Sequence, residues 1–299
     1  MELSVSKNYN KYMSLAGVSF SNLTTEELRA LAVNILSEKI HGISFSPYTE
    51  GQKPGTEITE LQIKERLDLI KTNVNWVRSF SCTEGNQHTP KVAKENGLNT
   101  LVGVWLDGDL ENNEKELANA IEVARAGHVD ILAVGNEVLL RGELSEDALI
   151  AYINRAKQAL PDIEIGYVDA YFKFEDYPRV TAACDVILAN CYPFWEGCPA
   201  EHSLTYMKDM HHRAVKAGKG KRVIITETGW PNLGTAERGA IPSSDNALKY
   251  FINTYLWAEE ESIEIFYFSS FDETWKIEDE GDVGAYWGLW DKDGKLKYV

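Results

Sequence analysis

Eight short apolar runs, each rich in β-branched or aromatic residues, recur along the 299-residue chain and restrict its fold more than any other feature. They are HGISFSPY from His41, NWVRSFS from Asn75, NTLVGVWL from Asn99, DILAVGNEV from Asp130, EIGYVDAY from Glu164, DVILANCYPF from Asp185, RVIITETGW from Arg222 and EIFYFSSFDE from Glu264. They read as continuous apolar stretches rather than strict alternation, the pattern of parallel strands covered on both faces. Helical patterns lie between them. TELQIKERLDLIKTN carries Leu61, Arg66, Leu67 and Ile70 behind a Thr59 cap position. SEDALIAYINRAKQALP opens at Ser145 with acidic first-turn residues and stops before Pro161, and SSDNALKYFINTYLWAEEES opens in the same way at Ser244. Strands alternating with helices in this number predict a single-domain (β/α)₈ barrel more than a doubly wound sheet.

The two ends of the chain break the repeat. After the eighth run the sequence is rich in Gly and Trp and has no helical period. Before the first, TTEELRALAVNILSEK sets Leu28, Leu31, Ala32, Ile35 and Leu36 on one face, with Thr24 or Thr25 to cap it and Glu27 at capping-box spacing from Thr24. This helix is expected to fill the outer-ring place of a missing eighth helix. Residues 1–39 then form an extension packed on a barrel of residues 40–299.

Two carboxylates occupy equivalent points in this scheme. Glu137 ends the fourth run and Glu227 ends the seventh, and a barrel of this kind carries its chemistry at the C-terminal ends of strands. The apolar residues before each cannot hydrate it, so each is expected to project from the core wall into a cleft. A single Glu after a strand serves equally well as an ion-pair partner or helix cap. A pair on strands four and seven, with Asn136 directly before one member, instead fits glycoside hydrolysis, in which one carboxyl protonates the leaving oxygen and the other attacks or activates water.

The remaining composition narrows the ligand. With 30 basic and 46 acidic residues the net charge is −16, which disfavours nucleic acid and anionic membranes and suits a neutral partner. No apolar run reaches the roughly 18 residues of a membrane helix. The chain has no GxGxxG or GxxxxGK[ST] motif, and its six histidines show no HxH or HExxH spacing, so neither a nucleotide cofactor nor a catalytic metal is expected. Cys82, Cys184, Cys191 and Cys198 form no CxxC pair and are read as free thiols, with a Cys191–Cys198 bridge as the alternative. The opening MELSVSKNYNKYMSLAG has no evident apolar signal region, which leaves the compartment open: cytoplasmic as the sequence stands, exported if a leader precedes it. A monomer is expected.

Aromatic residues gather at or just beyond the strand ends: Trp105, Phe172, Tyr192, Phe194, Trp195, Trp230, Phe271, Trp275, Trp287 and Trp290. The C–H faces of sugar rings stack on such side chains. Any one of these rings serves as readily for packing, but the set reads as a cleft for an uncharged oligosaccharide. Asp169 and Glu196, also at strand ends, are candidates to meet sugar hydroxyls.

The motifs resemble those of glycoside hydrolase family 17, the β-1,3-glucan-active enzymes of the large clan with carboxylates on strands four and seven. VGNEV is similar to the family's acid/base motif and TETGWP to its nucleophile motif. HGISFSPY, VRSFS and CYPFWEG resemble its first, second and sixth strand segments. FDETWK and the closing VGAYWGLWDKDG are similar to bacterial and fungal members. Together these stretches cover about residues 41–295. The resemblance implies that Glu137 is the general acid/base, that Glu227 is a nucleophile forming a covalent glycosyl-enzyme, and that Asn136 donates to the sugar 2-hydroxyl. It implies that Tyr192 hydrogen-bonds the nucleophile, and that Arg78, Glu273 and Lys276 form a polar floor and rim. Arg78 and Tyr192 would favour the charge on Glu227. Tyr48, Trp195, Glu196, Trp230, Phe271 and Trp275, with Asp169, complete the expected sugar-binding set. The activity implied is retaining hydrolysis of β-1,3-glucan. A β-1,3-glucanosyltransferase is the alternative, since that branch of the family holds both, and a non-catalytic glucan-binding barrel is a third reading that intact Glu137 and Glu227 disfavour.

Overall fold

The computed structural model describes Gly17, Phe20 and residues 23–298. Strands β1 (Ile40–Ser44), β2 (Val74–Ser79), β3 (Asn99–Val104), β4 (Ile131–Asn136), β5 (Glu164–Ala170), β6 (Val186–Asn190), β7 (Val223–Thr228) and β8 (Ile265–Tyr267) form a closed parallel barrel in sequence order. It closes where β8 pairs with β1, Gly42 lying opposite Phe266. The fold is the single-domain (β/α)₈ barrel that the strand pattern predicts.

Helices α1 (Thr25–Ser37), α2 (Glu60–Ile70), α3 (Thr89–Glu95), α4 (Leu110–Arg125), α5 (Glu146–Ala159), α6 (Lys173–Asp176), α7 (Pro178–Ala183), α8 (Ser203–Gly218), α9 (Ser244–Glu261) and α10 (Ile277–Glu280) complete the described regular structure, with short 3₁₀ turns. Their starts follow local hydrogen-bond chemistry: Thr59, Asp109 and Ser145 each turn a side-chain oxygen onto a free first-turn amide. For α9 the cap is Ser243, not Ser244, because the Ser243 hydroxyl accepts from the Asn246 amide at 3.0 Å.

The core has two layers. Trp76, Leu101, Ile131, Ala133, Val168, Val186, Leu188, Ile224 and Phe266 cluster together inside the barrel. The larger cluster lies between the outer faces of the strands and the helices. Among the described residues only the one-turn α10 and 3₁₀ turns follow β8. Ahead of β1, α1 begins with a capping box in which the Thr24 and Glu27 side chains each reach the other's amide. It buries Leu28, Ala32 and Leu36, packs against α9, and is held at its C-terminal end by Asn73 Nδ2 donating to Leu36 O at 3.2 Å. Leu31 and Ile35 are half-buried. No described helix is long and apolar enough to cross a membrane.

Register shifts interrupt the β4–β5, β6–β7 and β7–β8 ladders, at Ala133/Asn136, Ala189/Asn190 and Ile225/Thr228. All three sit toward the C-terminal ends of the strands. Such irregularities re-aim side chains at a barrel rim, and the residues they re-aim are those of the candidate site.

Candidate active site

Glu137 leaves β4 through a backbone that no regular strand adopts. Gly135 has φ +90° and Glu137 itself has φ +52°. A left-handed glutamate costs about 1–2 kcal/mol, and the surroundings hold it there. The Glu137 amide donates to Val168 O at 2.8 Å, and Arg141 closes the following turn with its amide on Glu137 O at 2.8 Å and its guanidinium on Asn136 O at 2.6 Å. The Tyr167 hydroxyl accepts from the Leu139 amide at 2.9 Å. Glu227 is set by TETGWP in a different way. A Cβ on Gly229 would stand 2.1 Å from Phe268 O, so only glycine lets β7 leave the barrel that close to the end of β8.

Arg78, at the end of β2, ties the two sides together. It is 1% exposed and aims Nη1 at Glu227 Oε1 (2.6 Å) and Nη2 at Asn136 Oδ1 (2.7 Å). That occupies the Asn136 carbonyl oxygen and not its amide nitrogen. The other oxygen of Glu227 accepts from the Tyr192 hydroxyl at 2.8 Å. Burial and the neighbouring Glu227 hold the Tyr192 phenol well above its usual range, so it remains a donor. Glu137 has a poorer polar shell: Asn190 Nδ2 donates to its Oε1 at 2.8 Å, while Asn190 Oδ1 is occupied by the Thr226 hydroxyl at 2.9 Å. Burial first, and the charge of Glu227 second, raise the Glu137 carboxyl to about 7. Two glutamates of one cleft thus face opposite environments. One is set up to hold a proton near neutrality, the other to accept hydrogen bonds from a guanidinium and a phenol.

The cleft, about 310 Å³, is lined by Glu137, Tyr192, Trp195, Glu196 and Glu227 among the expected residues. Tyr48, Glu273 and Trp275 line a separate small recess, with the Trp275 indole donating to Glu273 at 2.9 Å. Lys276 connects recess and cleft: its ammonium pairs with Glu273 at 2.6 Å and lies 4.1 Å above the ring of Phe268, a cleft residue. Three of the expected sugar contacts are buried and do not line the cleft. Asp169 is fully buried and accepts from the Tyr167 hydroxyl and the Ala170 amide, so it supports the turn behind Glu137 rather than meeting a sugar. Trp230 is 1% exposed, packed on Phe194 and Tyr250 with its indole N–H on Ile241 O; it is a wall of the core. Phe271 is equally buried, covered by the Arg66 guanidinium 3.5 Å from its ring. Of the wider aromatic set, Phe194, Trp287 and Trp290 are also buried, while Trp195 (36% exposed), Phe172 and Tyr192 reach the cleft.

The structure adds cleft residues that the motifs do not single out: Leu140, Tyr171, Asn190, Phe268 and Glu280. Asn190 was within reach, since it ends DVILAN by the same strand-end rule that selects Glu137. Glu280 was not, because nothing in the acidic run IEDEGD marks which carboxyl turns inward. The four cysteines are free thiols, and among the described residues no group of three or more His, Cys, Asp or Glu is placed to hold a metal.

Comparison with known proteins agrees with this geometry. The model of the BtgE/BtgC glycoside hydrolase domain matches residues 42–288. A glucan 1,3-β-glucosidase of Arthroderma benhamiae is 28% identical over 261 residues, covering 80% of this chain and 84% of that protein. The glycoside hydrolase family 17 β-1,3-glucanosyltransferase of Rhizomucor miehei superposes with a TM-score of 0.78 at 28% identity, covering 87% of this chain and 96% of that one. An active-site mutant of that enzyme in complex with laminaritriose gives a TM-score of 0.78 at 27% identity, with the same coverage of both chains. Matched along most of its length, and with a carboxylate at the end of both β4 and β7, the chain belongs to the BtgE/BtgC glycoside hydrolases of family 17.

Proposed function

We propose that this protein is a retaining glycoside hydrolase of β-1,3-glucan that works by double displacement. The observation that carries the reading is the shared cleft in which Glu137 is raised to about 7 while Glu227 accepts from Arg78 and Tyr192. In the first half-reaction Glu137 gives its proton to the glycosidic oxygen and Glu227 attacks the anomeric carbon, forming a glycosyl ester. Ester formation removes the negative charge on Glu227. That charge is the second cause of Glu137's raised pKa, so its loss lowers the pKa and suits Glu137 to act next as base. With Arg78 on its carbonyl oxygen, Asn136 keeps its amide nitrogen as the donor for the sugar 2-hydroxyl.

A glucanosyltransferase is the second reading. It is favoured by Phe172, Trp195 and Glu196, which line the cleft and offer an apolar face and a hydroxyl acceptor to an incoming sugar, and by the likeness to the R. miehei transferase. Incubation with laminari-oligosaccharides tests both. Proton NMR should find the β-anomer first, and chromatography at rising oligosaccharide concentration separates the two readings, because a transferase yields products longer than its substrate. An α-anomer formed first would overturn the retaining mechanism.

A further inference from the structure

Glu280 is a third carboxyl in the catalytic cleft, and the mechanism above does not use it. It ends the one-turn helix α10 and lines the cleft with Glu137 and Glu227. Its Oε2 is buried and has no hydrogen-bond partner. The Trp287 indole N–H lies against the same carboxyl and is the hydrogen-bonding group beside it. The neighbouring cation Lys276 is already paired with Glu273 at 2.6 Å. A carboxyl that lines the cleft therefore keeps one oxygen without a close partner. A buried acceptor left unmet is destabilising, and a ligand hydroxyl relieves it.

The side of the cleft follows from packing. The Trp287 ring beside Glu280 lies 5.6 Å from that of Tyr192, whose hydroxyl donates to Glu227. Glu280 thus lies on the nucleophile's side. In a double displacement the nucleophile meets the donor ring, while the acid/base faces the leaving group. We propose that Glu280, positioned by the Trp287 indole, binds a hydroxyl of the donor sugar and fixes that ring for attack by Glu227. The assignment rests on the retaining reading above.

The test uses the protein, its Glu280→Gln and Glu280→Ala variants, laminaritriose, and analogues of it lacking one hydroxyl at a time on the donor ring. Thermal melts check that the variants fold. The wild type should lose about 10- to 100-fold in kcat/KM on one deoxy analogue, as expected for a lost hydrogen bond to a buried charged group. Glu280→Ala should lose a similar factor on laminaritriose and show no further penalty on that analogue. Glu280→Gln, which keeps an acceptor, should fall between the two. A merely structural role would lower all substrates alike and leave the deoxy penalties intact, and that result overturns the proposal. So do wild-type rates in Glu280→Ala. If the alanine variant does not fold, the glutamine variant decides: a diminished penalty on the same analogue supports the assignment and an unchanged one overturns it. Anomeric inversion by the wild type would sink the double-displacement reading itself, whereas a retaining wild type with indifferent Glu280 variants sinks only this inference.

Discussion

Glu137 and Glu227 bear the same side chain, and their surroundings divide the labour between them. The sign of the resulting pH dependence is fixed. A glutamate of ordinary value 4.5 raised to about 7 binds more protons in the folded state than in the unfolded one across that interval. Its effect on stability is absent below about 4.5, and stability is lost as pH rises toward 7. Asp169, raised to about 6, and Glu280, raised to about 7, act in the same direction, all chiefly through burial. Glu137→Gln removes one such group while keeping an acceptor for Asn190. Its melting temperature should match the wild type near pH 4 and exceed it at pH 8, by on the order of 1–2 kcal/mol of stability. Equal melting curves at both pH values would contradict the environment assigned to Glu137. The aromatic residues divide as sharply. Trp230→Ala should cost about 3–5 kcal/mol, as a deleted core ring does. Trp195→Ala should leave the melting temperature within about a degree while raising the KM for oligosaccharides several-fold. Calorimetry and steady-state kinetics on the two variants would expose a reversal.

At the scale of elements, the strand ends matter most because their irregularities aim the side chains. Gly229 is required by contact, since its missing Cβ leaves room for Phe268 O. Gly229→Ala should push the end of β8 off β7 and misplace Glu227, lowering kcat by about 100-fold, the order expected for a shift of about 1 Å in a catalytic group. Unaltered kcat would show that β7 tolerates the displacement. Outside the site, Leu36→Ala on α1 should cost about 2–5 kcal/mol by opening a cavity against the barrel. Assays on the folded variant should find kcat/KM unchanged. The strands, the caps at Thr24, Thr59 and Ser145, and the pairing of Glu137 with Glu227 were legible in the sequence because each is a local pattern. Burial at the strand ends was not. Nothing local distinguishes Trp195, which opens into the cleft, from Trp230, which β7 and α9 enclose, and nothing turns Asp169 inward except its pairing with Tyr167 two residues before.

As a whole, the molecule is a closed barrel with a net charge of −16 that gathers Glu137, Glu196, Glu227 and Glu280 around one mouth. Arg78 is spent on Glu227 and Asn136, and Lys276 on Glu273. Such a mouth suits uncharged sugar and gives a carboxylated one no free cation among these residues. Everything proposed for it depends on Glu227 becoming covalently bonded to substrate. The direct measurement is to treat the enzyme with a 2-deoxy-2-fluoro laminaribiosyl fluoride, whose electron-withdrawing fluorine slows breakdown of the glycosyl ester, then digest it and map the adduct by mass spectrometry. The account predicts one laminaribiosyl-sized mass increment, on the peptide containing Glu227, absent in Glu227→Gln and formed at a similar level in Glu137→Gln because fluoride leaves without a proton. An adduct on another carboxylate, or turnover that inverts the anomeric centre with no adduct at all, would contradict it.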